Sequence, residues 1–203
     1  MVLSGTSARA LRHLLNEFTS PKSTAAQSFQ TVDWTGSSVG GCCGNNVVVA
    51  HWLMKSEPEE LSIDDLARAK RKRFAWDGVR NYRARNWMLQ MQPGEQFFFA
   101  HSSCKVPGIA GIAEIVGDAF PDPTQFDPES HYYDPASPAA KPRWVCRNVR
   151  FVERFPAVLA LIDLRQHADR LGPFHLLQKA NRLSVMPVSD AQWDFIVDLA
   201  RQS

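Results

Sequence analysis

From residue 47 onward the apolar and polar positions alternate in a way that predicts a succession of short elements. Val47-Val-Val-Ala-His-Trp-Leu-Met54 is β-branched and aromatic, is bounded by Asn46 and Pro58, and predicts a strand. Ser62 then reads as a helix N-cap, with Asp64 and Asp65 in the first turn and Ile63, Leu66 and Ala67 on the buried side of a helix to about Lys72. Val79 to Met91 predicts a second helix, closed by Pro93-Gly94. Gln96 to Ser102 and Ile109 to Val116 predict strands, the latter with Gly111 permitting close backbone approach. A long loop, Pro121 through Pro142, leads to a partly alternating strand, Trp144 to Phe155. Leu161, Leu164, Ala168 and Leu171 give helical spacing over Leu159 to Leu171, and a short helix is expected from Pro173 to Ala180. Ser189, with Gln192 three residues on, is a capping box for a last helix whose apolar side is Trp193, Ile196, Val197 and Ala200.

Strands scattered among helices without regular βαβ alternation predict an α+β domain around a mixed sheet or partial barrel. Gly108-Ile-Ala-Gly111 is neither a dinucleotide fingerprint nor a P-loop, and no internal repeat is present.

Residues 1 to 46 differ in character, being rich in Ser, Thr, Gly and Ala and ending in the linker-like run Gly36 to Asn46. The expected organisation is a flexible, disordered N-terminal extension over 1–46 and a domain over 47–203. Within the extension, Ala8 to Phe18 has the spacing of a short helix, and its arginines would also suit an organellar transit peptide or an over-called start. Cys42, Cys43, Cys104 and Cys146 show no metal-ligand spacing and point to a reducing compartment. No apolar run approaches the roughly 18 residues of a membrane span. The expectation is a soluble intracellular protein, cytoplasmic in a bacterium and nuclear or organellar in a eukaryote, with no cofactor, no metal and no membrane partner.

The 23 basic and 21 acidic residues leave a formal charge of only +2, so attraction to nucleic acid has to come from clustering. Between Leu66 and Asn86 it is present, with Arg68, Lys70, Arg71, Lys72, Arg73, Arg80, Arg83 and Arg85 against a single acid, Asp77. A solvated helix face explains Lys70 to Arg73 equally well. The stretch Trp76-Asp-Gly-Val-Arg-Asn-Tyr-Arg-Ala-Arg-Asn86 goes further, interleaving rings, guanidinium forks and amides. A nucleobase is held by stacking on a ring and read through hydrogen bonds, while cations neutralise its phosphates. Trp76, placed before Asp-Gly in a loop between helices, is expected to be the stacking ring. Trp193, within a helical apolar stripe, is expected in the core.

Other constellations are weaker. His101-Ser102-Ser103-Cys104 sets a base beside nucleophiles, and Asp134 would orient the imidazole, yet adjacent strand residues point to opposite faces. Glu57, at a strand end before Pro58, suits a salt bridge or a pocket equally. Arg182, ahead of Leu-Ser-Val-Met-Pro-Val188, suits a phosphate fork or an internal ion pair.

Several motifs together resemble the EVE domain: Trp52-Leu-Met-Lys-Ser-Glu-Pro58, Ser62-Ile-Asp-Asp-Leu66, Trp76 to Asn86, His101-Ser102, Pro107-Gly-Ile109, Tyr133-Asp-Pro135, Pro142-Arg-Trp144 and Arg182-Leu-Ser-Val185. The resemblance spans about Val47 to Ser203. It implies a PUA-like fold, a small mixed β-barrel flanked by helices, similar in architecture to the YTH readers of methylated adenine in RNA. It also implies non-catalytic recognition of a modified nucleobase in DNA or RNA, modified cytosine in DNA being the preference of animal members. Carried over by position, the pocket would comprise Trp52, Lys55, Ser56, Glu57, Trp76, Gly78, Val79, Arg80, Asn81 and Asn86. His101, Ser102, Pro107, Trp144, Arg182 and Ser184 would complete its rim. Ala100 stands where an aromatic is common, and Met186 where a Gln is usual.

The expected function is therefore a reader that takes an extruded modified base against Trp76 or a neighbouring aromatic and reads its edge with Asn81, Ser56 and backbone groups. Lys55, Arg80, Arg83 and Arg85 would hold the flanking phosphates. Two alternatives stand beside it. One is a PUA-like nuclease or nucleotide hydrolase using His101 with Glu57 or Asp134; the other is an interaction module whose basic helix meets an acidic protein.

Overall fold

The structure, a computed structural model, describes residues 51–69, 72–179 and 181–202. The expected 1–46 extension with its Ala8 to Phe18 helix, Cys42 and Cys43, the strand start at Val47 to Ala50, and Lys70 with Arg71 lie outside the described residues.

Strand β1 (His51–Ser56) is followed by helix α1 (Ile63–Arg68), strand β2 (Phe74–Trp76) and helix α2 (Tyr82–Gln90). Strands β3 (Gln96–His101), β4 (Gly108–Pro121) and β5 (Val145–Ala160) come next, with a 3₁₀ turn Pro123–Phe126 after β4. Helices α3 (Leu161–Gln166) and α4 (Ala168–Leu171), a 3₁₀ turn His175–Leu177, strand β6 (Val185–Val188) and helix α5 (Asp190–Gln202) complete the chain. Both capping signals act as the sequence indicates. Ser62 accepts from the Asp65 N–H while Asp65 accepts from the Ser62 N–H, and Gln192 and Ser189 exchange the same pair of bonds.

Several boundaries differ. Helix α1 stops at Arg68. Helix α2 begins at Tyr82 because Asn81, in extended geometry, caps it with its side-chain oxygen. The helix expected from Leu159 starts two residues later because Leu159 and Ala160 still pair with Ile109 and Gly108 of β4. It is also broken in two at His167, where φ −105° and ψ 19° leave the helical region. The Pro173 to Ala180 helix is reduced to a single 3₁₀ turn.

The six strands form one sheet in the order β2-β5-β4-β3-β1-β6. It does not close: β2 and β6 remain its edges, so the expected barrel is an open, bent, mixed sheet. Pairing is antiparallel except between β1 and β3, which run parallel from Trp52 opposite Phe97 to Ser56 opposite His101. Pro187 is accommodated because β6 lies at an edge, where a missing N–H breaks no interior ladder.

Alternation along the central strands divides the core. Trp52, Met54, Phe97 and Phe99 pack with Leu66 of α1 and Ala84 and Met88 of α2. Leu53, Phe98 and Met186 face the other way, against Leu164, Leu171 and the Trp193, Ile196 and Ala200 side of α5. Each face buries large side chains, and a fully buried Leu or Phe contributes about 1.5–3 kcal/mol relative to leaving it exposed. Trp193 lies in this core as expected, stacked on Phe98 at 4.1 Å between ring centroids. At Gly111 a Cβ would stand 2.3 Å from the Glu153 carbonyl oxygen, so β4 and β5 approach here only without a side chain. The β3–β4 register slips between Phe99 and Ala100, an irregularity that redirects the chain just before His101 and Ser102.

Candidate functional site

Parallel pairing brings the C-terminal ends of β1 and β3 to the same end of the sheet. The Ser102 N–H donates to the Ser56 carbonyl at 2.9 Å, and the Lys55 N–H donates to the Ser184 carbonyl at 2.7 Å, drawing in the segment before β6. Between these ends and the Ala75 to Val79 segment lies a cavity of about 300 Å³. Lys55, Ser56, Glu57, Trp76, Gly78, Val79, Ser102, Arg182 and Ser184 line it, all anticipated from the sequence. Glu60, Leu61, Ala75, Asp77, Ser103 and Tyr132 also line it and were not.

One buried carboxylate shapes the Trp76 to Arg80 wall. Asp122, with no solvent exposure, accepts from the Gly78 N–H at 2.9 Å and from the Arg80 guanidinium at 2.8 Å through the same oxygen. Its other oxygen takes the Thr124 N–H and hydroxyl. Gly78 has φ +77°, a left-handed conformation that presents its backbone to the cavity. Arg80 further donates to Thr124 Oγ1 and the Tyr132 carbonyl. Its donors are committed inside the protein, so Arg80 positions the loop and is not a phosphate ligand. Tyr132 in turn donates its hydroxyl to Glu60 at 2.9 Å, closing the cavity from the long loop.

Other expected positions sit elsewhere. Trp76 is not a loop ring: it ends β2, is only 4 % exposed and packs edge-on against Phe97 and Phe99, so only a fragment of the indole reaches the cavity. Trp52 is a core residue whose indole N–H donates to the buried Glu95 at 2.7 Å. Trp144 is likewise buried, donates to Asp134 at 2.7 Å and lies against Tyr82. Asn81 is the cap of α2, its side-chain oxygen accepting from the Arg83 and Ala84 N–H groups. Asn86 accepts from Arg85, whose guanidinium also meets the Arg143 carbonyl and the Tyr82 ring; Arg83 lies over Trp87. None of these last four residues lines either cavity.

A second cavity, about 280 Å³, adjoins the first and shares Lys55, Ser102 and Ser103 with it. His101 and Pro107 line this one. His101 accepts the Ile63 N–H on Nε2 at 3.3 Å, which fixes the neutral tautomer with the proton on Nδ1. Burial holds its pKa below the usual histidine value, against the opposing pull of Asp64 and Asp65. Burial likewise lowers Lys55, whose Nζ donates to the Asn181 carbonyl at 3.4 Å. Asp134 does not orient His101: its carboxylate takes the Trp144 indole N–H and pairs with Arg143, the first of which holds its pKa low. The proposed His101–Asp134 acid–base couple is therefore absent.

A family model described as the EVE domain matches residues 50–199. The chain belongs to the EVE family. Human "Thymocyte nuclear protein 1" is 39 % identical over 178 residues, covering 80 % of this chain and 78 % of that protein. A Pseudomonas putida protein of known structure is 54 % identical with a TM-score of 0.71, over 74 % of this chain and 99 % of that one. The crystal structure of human THYN1 protein in complex with 5-methylcytosine containing DNA is 37 % identical with a TM-score of 0.71, over 76 % of this chain and 99 % of that one.

In this EVE domain the first cavity mixes a buried indole edge, hydroxyls at Ser56, Ser102 and Ser184, and the Gly78 backbone. Arg182 is exposed on its lining, without an ion-pair partner among the described residues. Asp122, the residue organising the wall, carried one faint sequence signal: it lies between two prolines at the head of a loop long enough to suggest function.

Proposed function

We propose that this EVE domain binds nucleic acid carrying a modified base and does so without altering it chemically. The base enters the first cavity against Trp76, its polar edge meets the serine hydroxyls and the Gly78 backbone, and Lys55 and Arg182 attract the phosphates. The observation carrying this reading is the cavity itself: an indole edge and converging polar groups in about 300 Å³, with an arginine on its lining that has no ion-pair partner among the described residues. The human relative, with its 5-methylcytosine DNA complex, supports a methylated pyrimidine as the first candidate. Extruding a base costs a few kcal/mol and Trp76 offers only an indole edge, so phosphate contacts supply much of the net affinity and binding is salt-sensitive.

The test is a fluorescence anisotropy titration with paired oligonucleotides that contain 5-methylcytosine or cytosine at one position. Ser56→Tyr fills the cavity from a strand end without removing core contacts. The expected result is tighter binding of the methylated strand and loss of that preference in the variant at unchanged melting temperature. Equal affinities for the two strands in the native protein would overturn the reading.

A further inference from the structure

The second cavity differs from the first in charge. Glu57, Glu60 and Asp77 line the first, whereas no carboxylate lines the second. Lys55 stands in the wall common to both, and Arg165, in the last turn of α3, joins the second with no ion-pair partner among the described residues. The remaining surface is mixed. Ala100, Pro107, Leu161 and Leu176 make an apolar wall, while Gln178 supplies an exposed amide. His101 adds no charge, because its Nε2 lone pair is engaged by the Ile63 N–H.

The partition between the cavities has an unusual backbone. Ser103 has φ +52°, and among the described residues no other non-glycine residue has a positive φ. A side chain in this left-handed region is uncommon and costs free energy, and such residues gather at ligand sites. Here it turns the chain immediately after Ser102, so that both serines face the two compartments at once. Two cavities of nearly equal size, about 300 and 280 Å³, thus share a wall of one cation and two hydroxyls. A single extruded base occupies one. The geometry calls for a ligand with two similar units joined by an anionic link at Lys55, which is the constitution of two consecutive nucleotides.

We propose that the second cavity receives the nucleotide adjacent to the modified base, its phosphodiester held between Lys55 and Arg165 and its base or sugar against the apolar wall. This rests on the base-binding reading of the first cavity and extends it: the domain grips a two-nucleotide step, and the neighbour of the modification contributes to affinity.

A phosphate-deletion cycle tests it. A single-stranded 5-methylcytosine oligonucleotide is compared with versions in which one phosphate at a time, on either side of the modified base, is replaced by an uncharged methylphosphonate. Native protein, Arg165→Ala and Arg165→Lys are titrated with each. Loss of one charge-assisted contact is expected to weaken Arg165→Ala about tenfold on the unmodified backbone, with partial recovery in Arg165→Lys. At one methylphosphonate position the native protein and Arg165→Ala should bind equally, and both should keep the preference for 5-methylcytosine over cytosine. Native affinity in Arg165→Ala, or a tenfold loss that persists at every methylphosphonate position, would overturn the proposal. The two readings fail separately. Absence of methyl preference with the phosphate coupling intact removes the base reader and leaves the second cavity as a phosphate-binding compartment.

Discussion

Arg80 and Gly78 share one acceptor, the Oδ2 of Asp122, at 2.8 and 2.9 Å. The loop that walls the first cavity is therefore pinned at two points to a carboxylate that has no contact with solvent. An arginine that reads in the sequence as a surface cation is here the counter-charge of a buried anion.

Arg80→Ala should accordingly unfold the domain more easily instead of merely weakening a ligand. Removing one partner of a buried pair costs about 3–5 kcal/mol, because the remaining charge is left uncompensated. Urea denaturation should show a lower midpoint with little change in slope. A variant that kept native stability but lost nucleic-acid affinity would return Arg80 to the phosphate role.

Asn81→Ala tests the opposite pairing of stability and function. Its side-chain oxygen caps α2 through the Arg83 and Ala84 N–H groups, so the substitution should cost roughly 1 kcal/mol. Ligand preference measured by anisotropy should be unchanged, since the side chain lines neither cavity.

Arg182→Ala should do the reverse. The side chain is exposed, lines the first cavity and lacks an ion-pair partner among the described residues, so melting temperature should hold. Affinity for any oligonucleotide should fall several-fold, and the slope of log affinity against log salt should become shallower by about one. Selectivity between modified and unmodified strands should survive.

His101 supplies a pH signature. Its folded pKa is depressed below 6.5 by burial, and protonation at Nε2 would abolish acceptance of the Ile63 N–H. In the unfolded chain the imidazole takes its proton near the ordinary value, so the unfolded state binds more protons as pH falls below about 6.5. The stability contributed by neutral His101 is present above that pH, declines as acid is added, and levels off below the folded pKa. Melting curves from pH 8 to 5 should show this loss, and His101→Gln should flatten it.

The signals readable in the chain were local ones. Ser62 and Ser189 announce helix starts because capping depends on residues three apart, and Trp193 declares itself by helical spacing. Strand β2 gave no such sign: Phe74-Ala-Trp76 is extended because Asn148 and its neighbours, more than 70 residues on, pair with it. The same pairing buries Trp76, which is why its loop context misled. For the pocket, Lys55 to Glu57, Gly78, Ser102 and Arg182 were legible through the motifs that resemble the EVE domain, while the residues alone left Glu57 and Arg182 open between a pocket role and an ion pair. Asp122 and Tyr132 were not, since their roles arise when the long loop folds back on Arg80 and Glu60. Arg80, Arg83 and Arg85 show the limit of charge counting, which records a cation but not the carbonyl, carboxylate or ring that engages it.

Parallel strands β1 and β3 carry a consequence for how such a domain diversifies. Their paired ends, Ser56 opposite His101, fix a common rigid mount from which the neighbouring loops hang. Exchanges in the 77–79, 102–107 or 182–184 segments can recast what is gripped while the hydrogen-bonded ladder beneath stays in step. A slip of one residue between the two strands would instead exchange the faces that Lys55 and Ser56 present and abolish both compartments together. Engineering a new selectivity should therefore begin in the hanging loops, with the ladder held constant.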